Sequence, residues 1–554
     1  MALFRLRSKP PPLEQDHLTN ASSEPLASPS NRRFHSAGLA IALITILAAV
    51  LRFVVLDQES LWFDTAHSGV VALNPTVREV VLGAASDFQT PLYFVLLHFW
   101  LKLSTSDLWL RALTASMGVA LIPLVYLMGR RLFSPQAGLI SALFCSVSTY
   151  LIYFSRYPRA YILLAVLSVA AAYTLYLALA ERRLRWWFLH GLLCSLALYA
   201  HAYAYFFVPA LWLMAGTYAL ARDRRSLLPL CGVAIGAGLS YLPWIGVTLG
   251  QWTQVQAGAD SWIDPVSTGS LKTMYDWLWF MTRGEYGVMA DTILKVGRYL
   301  FTGLLLLGLW RGRHNPCMLF VAGAAVLPIA FAFVFSVAAT PLWDPRYFVF
   351  MAPFFALWLG TAIATHPLPH HIRRLPATAS LVGLLCVMSL PPLISLYADP
   401  AFRAVDLRDG ILWAEHRYQE GDLITHINYQ SYLTSLWYAH QNAGNKPSSR
   451  SYPVSCDWAS LPDDWCSASP YPEKYVNLST QSFAEAVAGA RRLLLIVPYN
   501  HNWSGEREKT LDLVSSLQGE AFTREEVAEF SGVIVAELRP KLFASMKSAR
   551  SNPQ

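Results

Sequence analysis

The chain has 554 residues, of which 54% are hydrophobic and 14% charged. A soluble globular protein carries about a quarter charged residues, so that class is excluded. The net charge of +7 lies largely in short arginine clusters between apolar runs, which is a membrane-topology pattern and not a nucleic-acid footprint.

Residues 1–36 are rich in Pro, Ser and charge and read as a disordered cytosolic tail. Apolar runs of about 20 residues then recur from Ala37 to Leu396, each long enough to cross ~30 Å of hydrocarbon. The first, Ala37–Leu56, lacks a small-residue cleavage site and is an anchor. Arg32, Arg33 and His35 precede it and place the N-terminus in the cytosol, which makes 57–107 an external loop.

The next spans are Leu108–Gly129, Ala137–Phe154, Ile162–Ala180 and Trp187–Phe206. A sixth starts near Pro209, and Leu227–Leu249 is the seventh. A Trp-rich polar loop, Gly250–Asp291, precedes two spans that end near Trp310 and before ATPLWDPRY. The last two start at Tyr347 and at Ala377. Arginine clusters on alternate loops support about eleven spans in a polytopic α-helical domain, 37–398.

From 399 to 554 the composition is that of a soluble domain, placed outside the cytosol with the 57–107 loop. LRDGILWAEHRY sets Leu407, Ile411 and Ala414 on one helix face. DLITHI, RLLLIVPY and SGVIVAEL read as strands; SFAEAVAGARR and REKTLDLVSSL read as helices between them. The expectation is a small α/β domain with a largely parallel sheet. Cys145, Cys194, Cys231, Cys317 and Cys386 sit in apolar segments; Cys456 and Cys466 are either two free thiols or a disulfide.

The chemistry is sought in the 57–107 loop, which carries Asp57, Glu59, Asp64, Glu79, Asp87 and Asp107 among aromatic residues. Asp64, behind Leu61, Trp62 and Phe63, is the reactive candidate, because partial burial raises a carboxylate's basicity while a nearby cation opposes that shift. His67 is a candidate partner for it. Asp87 either orients an acceptor, helps bind a metal, or caps the helix at Pro91.

External loops should be poor in arginine, yet SRYPRAY holds Arg156 and Arg159 before a helix that Pro158 can open. Helix-start amides and a planar guanidinium suit a phosphate; snorkelling to headgroups is the plainer alternative. Arg346 of DPRY is similarly placed, or simply pairs with Asp344, while Lys295 and Arg298 are interfacial anchors. LYAHAYAYFF puts His201, Tyr203 and Tyr205 at the same membrane face. HPLPHH lacks metal-ligand geometry, and no phosphate-cradling glycine loop, HExxH or GxSxG is present.

Read in order, the loop carboxylate, TPLYFVLLHFWLKL, SDLWLRALTASMGVALIPLVYLMGRRLFSPQAGLISAL, YFSRYPRAY and ATPLWDPRYFVFMAPFFALWLG resemble the GT-C glycosyltransferases. The likeness spans roughly 37–360 and is to the protein O-mannosyltransferase and aminoarabinose-transferase branch. It implies inverting transfer of a sugar from a polyprenyl-phosphate donor to an external glycan, lipid or protein acceptor at the cell membrane; such a reaction needs no nucleotide, no cofactor is expected, and a divalent metal stays open without a clear ligand motif. Asp64 matches the family's first-loop aspartate, a base or acceptor-orienting group, Arg159 and Tyr161 match its donor-phosphate site, and His201 and Tyr203 its substrate contacts. Thr65 stands where members often carry a second acid, Gln89 stands in the place of a histidine before Thr90-Pro91, and Ala200 replaces a threonine. The rival expectations are a flippase for a lipid-linked sugar and an assembly subunit whose activity has lapsed.

Overall fold

The computed structural model describes residues 29–256, 263, 265–281, 288–365, 374–398, 406–426, 429–441, 451–453, 490–499, 506–520 and 522–540. Cys456, Cys466, Trp262, HPLPHH, the first 28 residues and 482–489 of SFAEAVAGARR lie outside them.

Long apolar helices dominate, as the hydropathy requires. Among the described residues nine are long and apolar enough to cross a membrane, or ten if one bent pair counts as a single span. The chain is a multi-pass membrane protein. The remaining expected span, Trp187–Phe206, corresponds to α9 (Leu184–Ala200), whose 17 residues leave it short of that length. The first helix, α1 (Pro29–Phe53), begins inside the segment expected as a tail.

The bent pair is α6 (Pro135–Val147) and α7 (Thr149–Ser155), turned by 60° at Ser148. A break at membrane depth strands backbone carbonyls, which must find donors within the protein. Arg52 of α1, fully buried, supplies them: its guanidinium donates to the carbonyls of Cys145 and Ser146 at 3.2 Å and to Ser155 Oγ at 3.1 Å.

Between α1 and α5 (Asp107–Leu132) the chain folds into α2 (Phe63–Ala72), α3 (Val77–Ser86) and α4 (Leu92–Leu101), each of 10 residues and too short to span. Thr76 and Glu79 form a capping box on α3, so Glu79 holds a helix start. α8 (Tyr161–Glu181) and α10 (Ala204–Arg222) follow, then α11 (Leu227–Gln256), α12 (Thr268–Phe280), α13 (Val288–Gly312) and α14 (Pro316–Ala338). A 3-10 turn, Pro345–Met351, leads into α15 (Ala352–Ala364), and α16 (Arg374–Ala398) ends the helical domain.

The C-terminal part comprises α17 (Leu407–Arg417), β1 (Asp422–His426), α18 (Tyr429–Gln441), β2 (Ser451–Pro453), β3 (Arg492–Pro498), α19 (Glu506–Glu520), β4 (Phe522–Phe530) and β5 (Val533–Pro540). Leu407, Ile411 and Ala414 are buried together, as their spacing predicts. The sheet order is β2-β1-β3-β5-β4. β1 runs parallel to β2 and β3, but β5 is antiparallel to β3 and β4. The largely parallel expectation is therefore corrected to a mixed sheet. β4 carries no alternating apolar signal, since Arg524, Glu525 and Glu526 are consecutive in FTREEVAEF, a charge content that an outer strand tolerates.

This domain packs onto the 57–107 loop through α18. Trp437 is fully buried, and its ring fills the place where a Cβ on Gly69 of α2 would lie, 2.4 Å from the nearest ring carbon. Trp437 Nε1 and Gln441 Nε2 each donate to Asp107 Oδ1 at 2.8 Å, and Tyr438 donates to Oδ2 at 3.2 Å. Asp107 is thus a docking residue.

Two outcomes follow for stability. Gly69→Val should cost about 1–3 kcal/mol by overpacking Trp437, read as earlier proteolytic cleavage between the two domains. Arg52→Leu should cost roughly 3 kcal/mol by stranding the carbonyls of Cys145 and Ser146, read as a lower unfolding midpoint in detergent.

Candidate active site

Two short helices bring carboxylates to one arginine. Asp64 stands in the first turn of α2, where a helix start favours negative charge. Asp87 closes α3, followed by Phe88 at φ 53°. A bulky residue in the left-handed region is uncommon and persists only where its surroundings hold it. The turn that follows carries Gln89, whose amide bonds back to Ala84.

Arg159 sits in the loop between α7 and α8. It donates to Asp87 Oδ2 at 2.6 Å and to Asp64 Oδ1 at 2.7 Å, with its side chain only 6% exposed. Tyr157 of the same loop donates to Asp64 Oδ2 at 2.9 Å. Burial alone would lower the Arg159 pKa, but the charges of Asp87 and Asp64 outweigh it and hold it well above the ordinary value. Burial, reinforced by Asp64, pushes the Tyr157 phenol well up, so it stays a donor. His67 Nδ1 lies 3.1 Å from Asp87 Oδ2, so His67 partners Asp87 and not Asp64 as expected.

Arg346 enters from the 3-10 turn. It pairs with Asp344 at 3.0 Å and reaches within 3.9 Å of Asp64 Oδ2. Asp344 also caps that turn by accepting the Arg346 amide at 2.8 Å. With 31% exposure, Arg346 is the more accessible of the two guanidiniums facing Asp64.

An aromatic wall adjoins Arg346. The Tyr161 ring lies 5.4 Å from His201 and 6.1 Å from Tyr347, and Tyr203 lies 4.9 Å from Tyr347. His201 occupies the break between α9 and α10 and accepts the Tyr203 amide at Nδ1, 3.1 Å away, which leaves the ring proton on Nε2. Burial, with a smaller contribution from Arg159, lowers its pKa to about 3 and keeps it neutral.

Six of the sequence candidates meet here: Asp64, Asp87, Arg159 and Arg346 as a charged centre with Tyr161 and His201 beside it. Tyr203 completes the wall through Tyr347. Arg156 points elsewhere, donating to the carbonyls of Val54 and Val55 and pairing with Glu59 at 3.1 Å. Arg298 pairs with Asp276 at 2.9 Å. Tyr157 and Tyr347 also belong to the site and are not among the sequence candidates; both stand inside the motifs SRYPRAY and DPRY, beside the arginines that mark them. Among the described residues no three His, Cys, Asp or Glu side chains converge as a metal site.

Residues 89–245 match the family described as dolichyl-phosphate-mannose-protein mannosyltransferase. No curated protein sequence matches the chain. The solved structure of ArnT from Cupriavidus metallidurans in the apo state superposes with a TM-score of 0.55 at 13% identity, covering 91% of this chain and 98% of that one. The same protein bound to undecaprenyl phosphate gives 0.54 at 13%, over 93% and 99%. The apo oligosaccharyltransferase of Archaeoglobus fulgidus gives 0.54 at 12%, over 93% of this chain and 76% of that one. At such identities the likeness is one of fold.

Asp87→Asn should cost about 3 kcal/mol, because it weakens a buried pair and leaves Arg159 less compensated; a denaturant titration reads the loss. His201 has a folded pKa depressed from 6.5 to about 3, so its contribution to stability is complete above pH 6.5 and declines as pH falls toward 3. The loss should be about 2 kcal/mol at pH 5, and His201→Gln should flatten that limb of the stability profile.

Proposed function

We propose that this protein, whose fold is that of the GT-C glycosyltransferases, transfers a sugar from a polyprenyl-phosphate donor to a hydroxyl acceptor on the extracytoplasmic side of the membrane. The observation that carries this reading is the convergence of Asp64 with Arg159 at 2.7 Å and Arg346 at 3.9 Å, beside the aromatic wall. A sugar phosphoester brings its own leaving group, so the protein must hold an anion, orient a hydroxyl and accept one proton.

In this reading Arg346, the more exposed guanidinium, grips the donor phosphate. Arg159 supports it from behind while fixing Asp64 and Asp87. The acceptor oxygen bonds to the sugar C1 on the face opposite the phosphate, and the C1–O bond to phosphate breaks with its electron pair leaving on the phosphate oxygen. Asp64 takes the hydroxyl proton. Tyr157 holds the other edge of that carboxylate, and Asp87 with Gln89 lines the acceptor side. Tyr161, His201, Tyr203 and Tyr347 offer apolar faces and a neutral imidazole to the sugar ring.

Such an enzyme accounts for a chain of apolar helices with a polar reaction loop and no nucleotide-binding motif. The prenyl chain would lie along the spanning helices, and the arginine clusters on alternate loops support a cytosolic N-terminus and an external C-terminal domain.

The test is purified full-length protein in lipid nanodiscs with a panel of polyprenyl-phosphate sugars. Wild type should release polyprenyl phosphate with at least one donor. Asp64→Asn should lower turnover by about 10²-fold or more, and Arg346→Ala should raise the donor KM about tenfold, as expected for one lost charge-assisted contact. Full turnover in Asp64→Asn removes the proton-accepting role, and an unchanged donor KM in Arg346→Ala removes the phosphate grip.

A further inference from the structure

The segment between α1 and α2 has an unusual set of partners. Seven successive carbonyls, Val54 to Ser60, each accept from an arginine at 2.8–3.2 Å. Arg156 holds Val54 and Val55; Arg111 of α5 holds Leu56, Glu59 and Ser60. The two remaining carbonyls, Asp57 and Gln58, are held by Arg408 of α17, at 3.0 and 3.2 Å. Val55 sits at φ 49°, a genuine outlier for a β-branched residue. A run of turns and bends whose carbonyls are left outside any helix or strand needs outside donors to keep one conformation, and here planar guanidiniums supply them two and three at a time.

Two of these arginines come from the helical domain and one from the C-terminal domain. The C-terminal domain makes further contacts to the same run. The Arg408 amide donates to Ser60 Oγ at 2.9 Å, and Tyr438 Oη accepts the Leu61 amide at 3.2 Å. Trp437 presses on Gly69, on the helix that begins at Phe63. Asp64 lies four residues past Ser60, in that helix's first turn, where Ser68 Oγ bonds its carbonyl. The carboxylate therefore stands at the end of a strut whose outer side is supplied by a separate domain.

We propose that the C-terminal α/β domain is a positioning element for Asp64, acting through Arg408 on the segment Asp57–Ser60. The proposal rests on the role given to Asp64 above. Arg408 touches no candidate site residue; it sets the strut, the strut sets the first turn of α2, and that turn sets Asp64 between Arg159 and Tyr157. A misplacement near 1 Å at a reacting group is enough to cost about 10²-fold in turnover.

The experiment uses the full-length protein in nanodiscs, comparing wild type with Arg408→Ala, Arg408→Lys and Arg417→Ala. Arg417 belongs to the same helix but pairs with Glu526 on the domain's surface, so it controls for a general disturbance of the domain. Amide hydrogen exchange in 55–66 should quicken about fivefold or more in Arg408→Ala, with β1, β3 and α8 unchanged, because only the local opening equilibrium moves. Arg408→Lys should lie between, since an ammonium lacks the fork that serves two carbonyls. Turnover should fall about tenfold in Arg408→Ala with the donor KM within twofold, the split expected when a reacting group is displaced but binding is not.

Unchanged exchange in 55–66, or an equal effect in Arg417→Ala, overturns the proposal. So does full turnover in Arg408→Ala when wild type is active. If wild type transfers no sugar, the functional reading fails separately, and the exchange comparison still decides whether Arg408 orders this segment.

Discussion

A single buried guanidinium organises the polar centre of this molecule. Arg159 reaches Asp64 on one short helix and Asp87 after another, at 2.7 and 2.6 Å, and a carboxylate drawn out of water needs such a paired cation. The pair ties α2 and the end of α3 to the loop between α7 and α8. It also leaves Arg346, with its greater exposure, as the cation that faces outward. The two arginines differ in burial, at 6% and 31% side-chain exposure.

The same economy of means recurs away from the site. Arg52 repairs the carbonyls opened by the 60° bend between α6 and α7, and that bend sets the course of the chain into the Arg159 loop. Arg111, Arg156 and Arg408 hold the run before α2. Guanidinium suits these tasks because its planar fork donates to several oxygens at once and it does not readily deprotonate.

Much of this was legible in the chain itself, for reasons that are local. Asp64 behind three apolar residues, Arg159 in an external loop and Arg346 at the start of a span are each anomalies against the positive-inside pattern or the hydropathy, whereas the helix after Arg159 starts at Tyr161 and not at Pro158. The burial of Leu407, Ile411 and Ala414 followed from helical spacing. What could not be read is long-range pairing. In sequence Asp107 is one more loop carboxylate; its donor, Trp437, lies 330 positions away. Arg111 lay inside an expected span, and nothing in its neighbourhood marks the carbonyls more than 50 residues earlier that it serves. The antiparallel return of β5 against β3 likewise depends on pairing that local patterns do not encode.

The central claim is that Asp64, Arg159 and Arg346 form one anion-handling centre. The most direct measurement is an experimental structure of the full-length protein in nanodiscs with undecaprenyl phosphate added. The account predicts phosphate density within hydrogen-bond reach of the Arg346 guanidinium, with Asp64 still bridged to Arg159. Phosphate density remote from Arg346, or Asp64 and Arg159 apart with no common cavity, would contradict it.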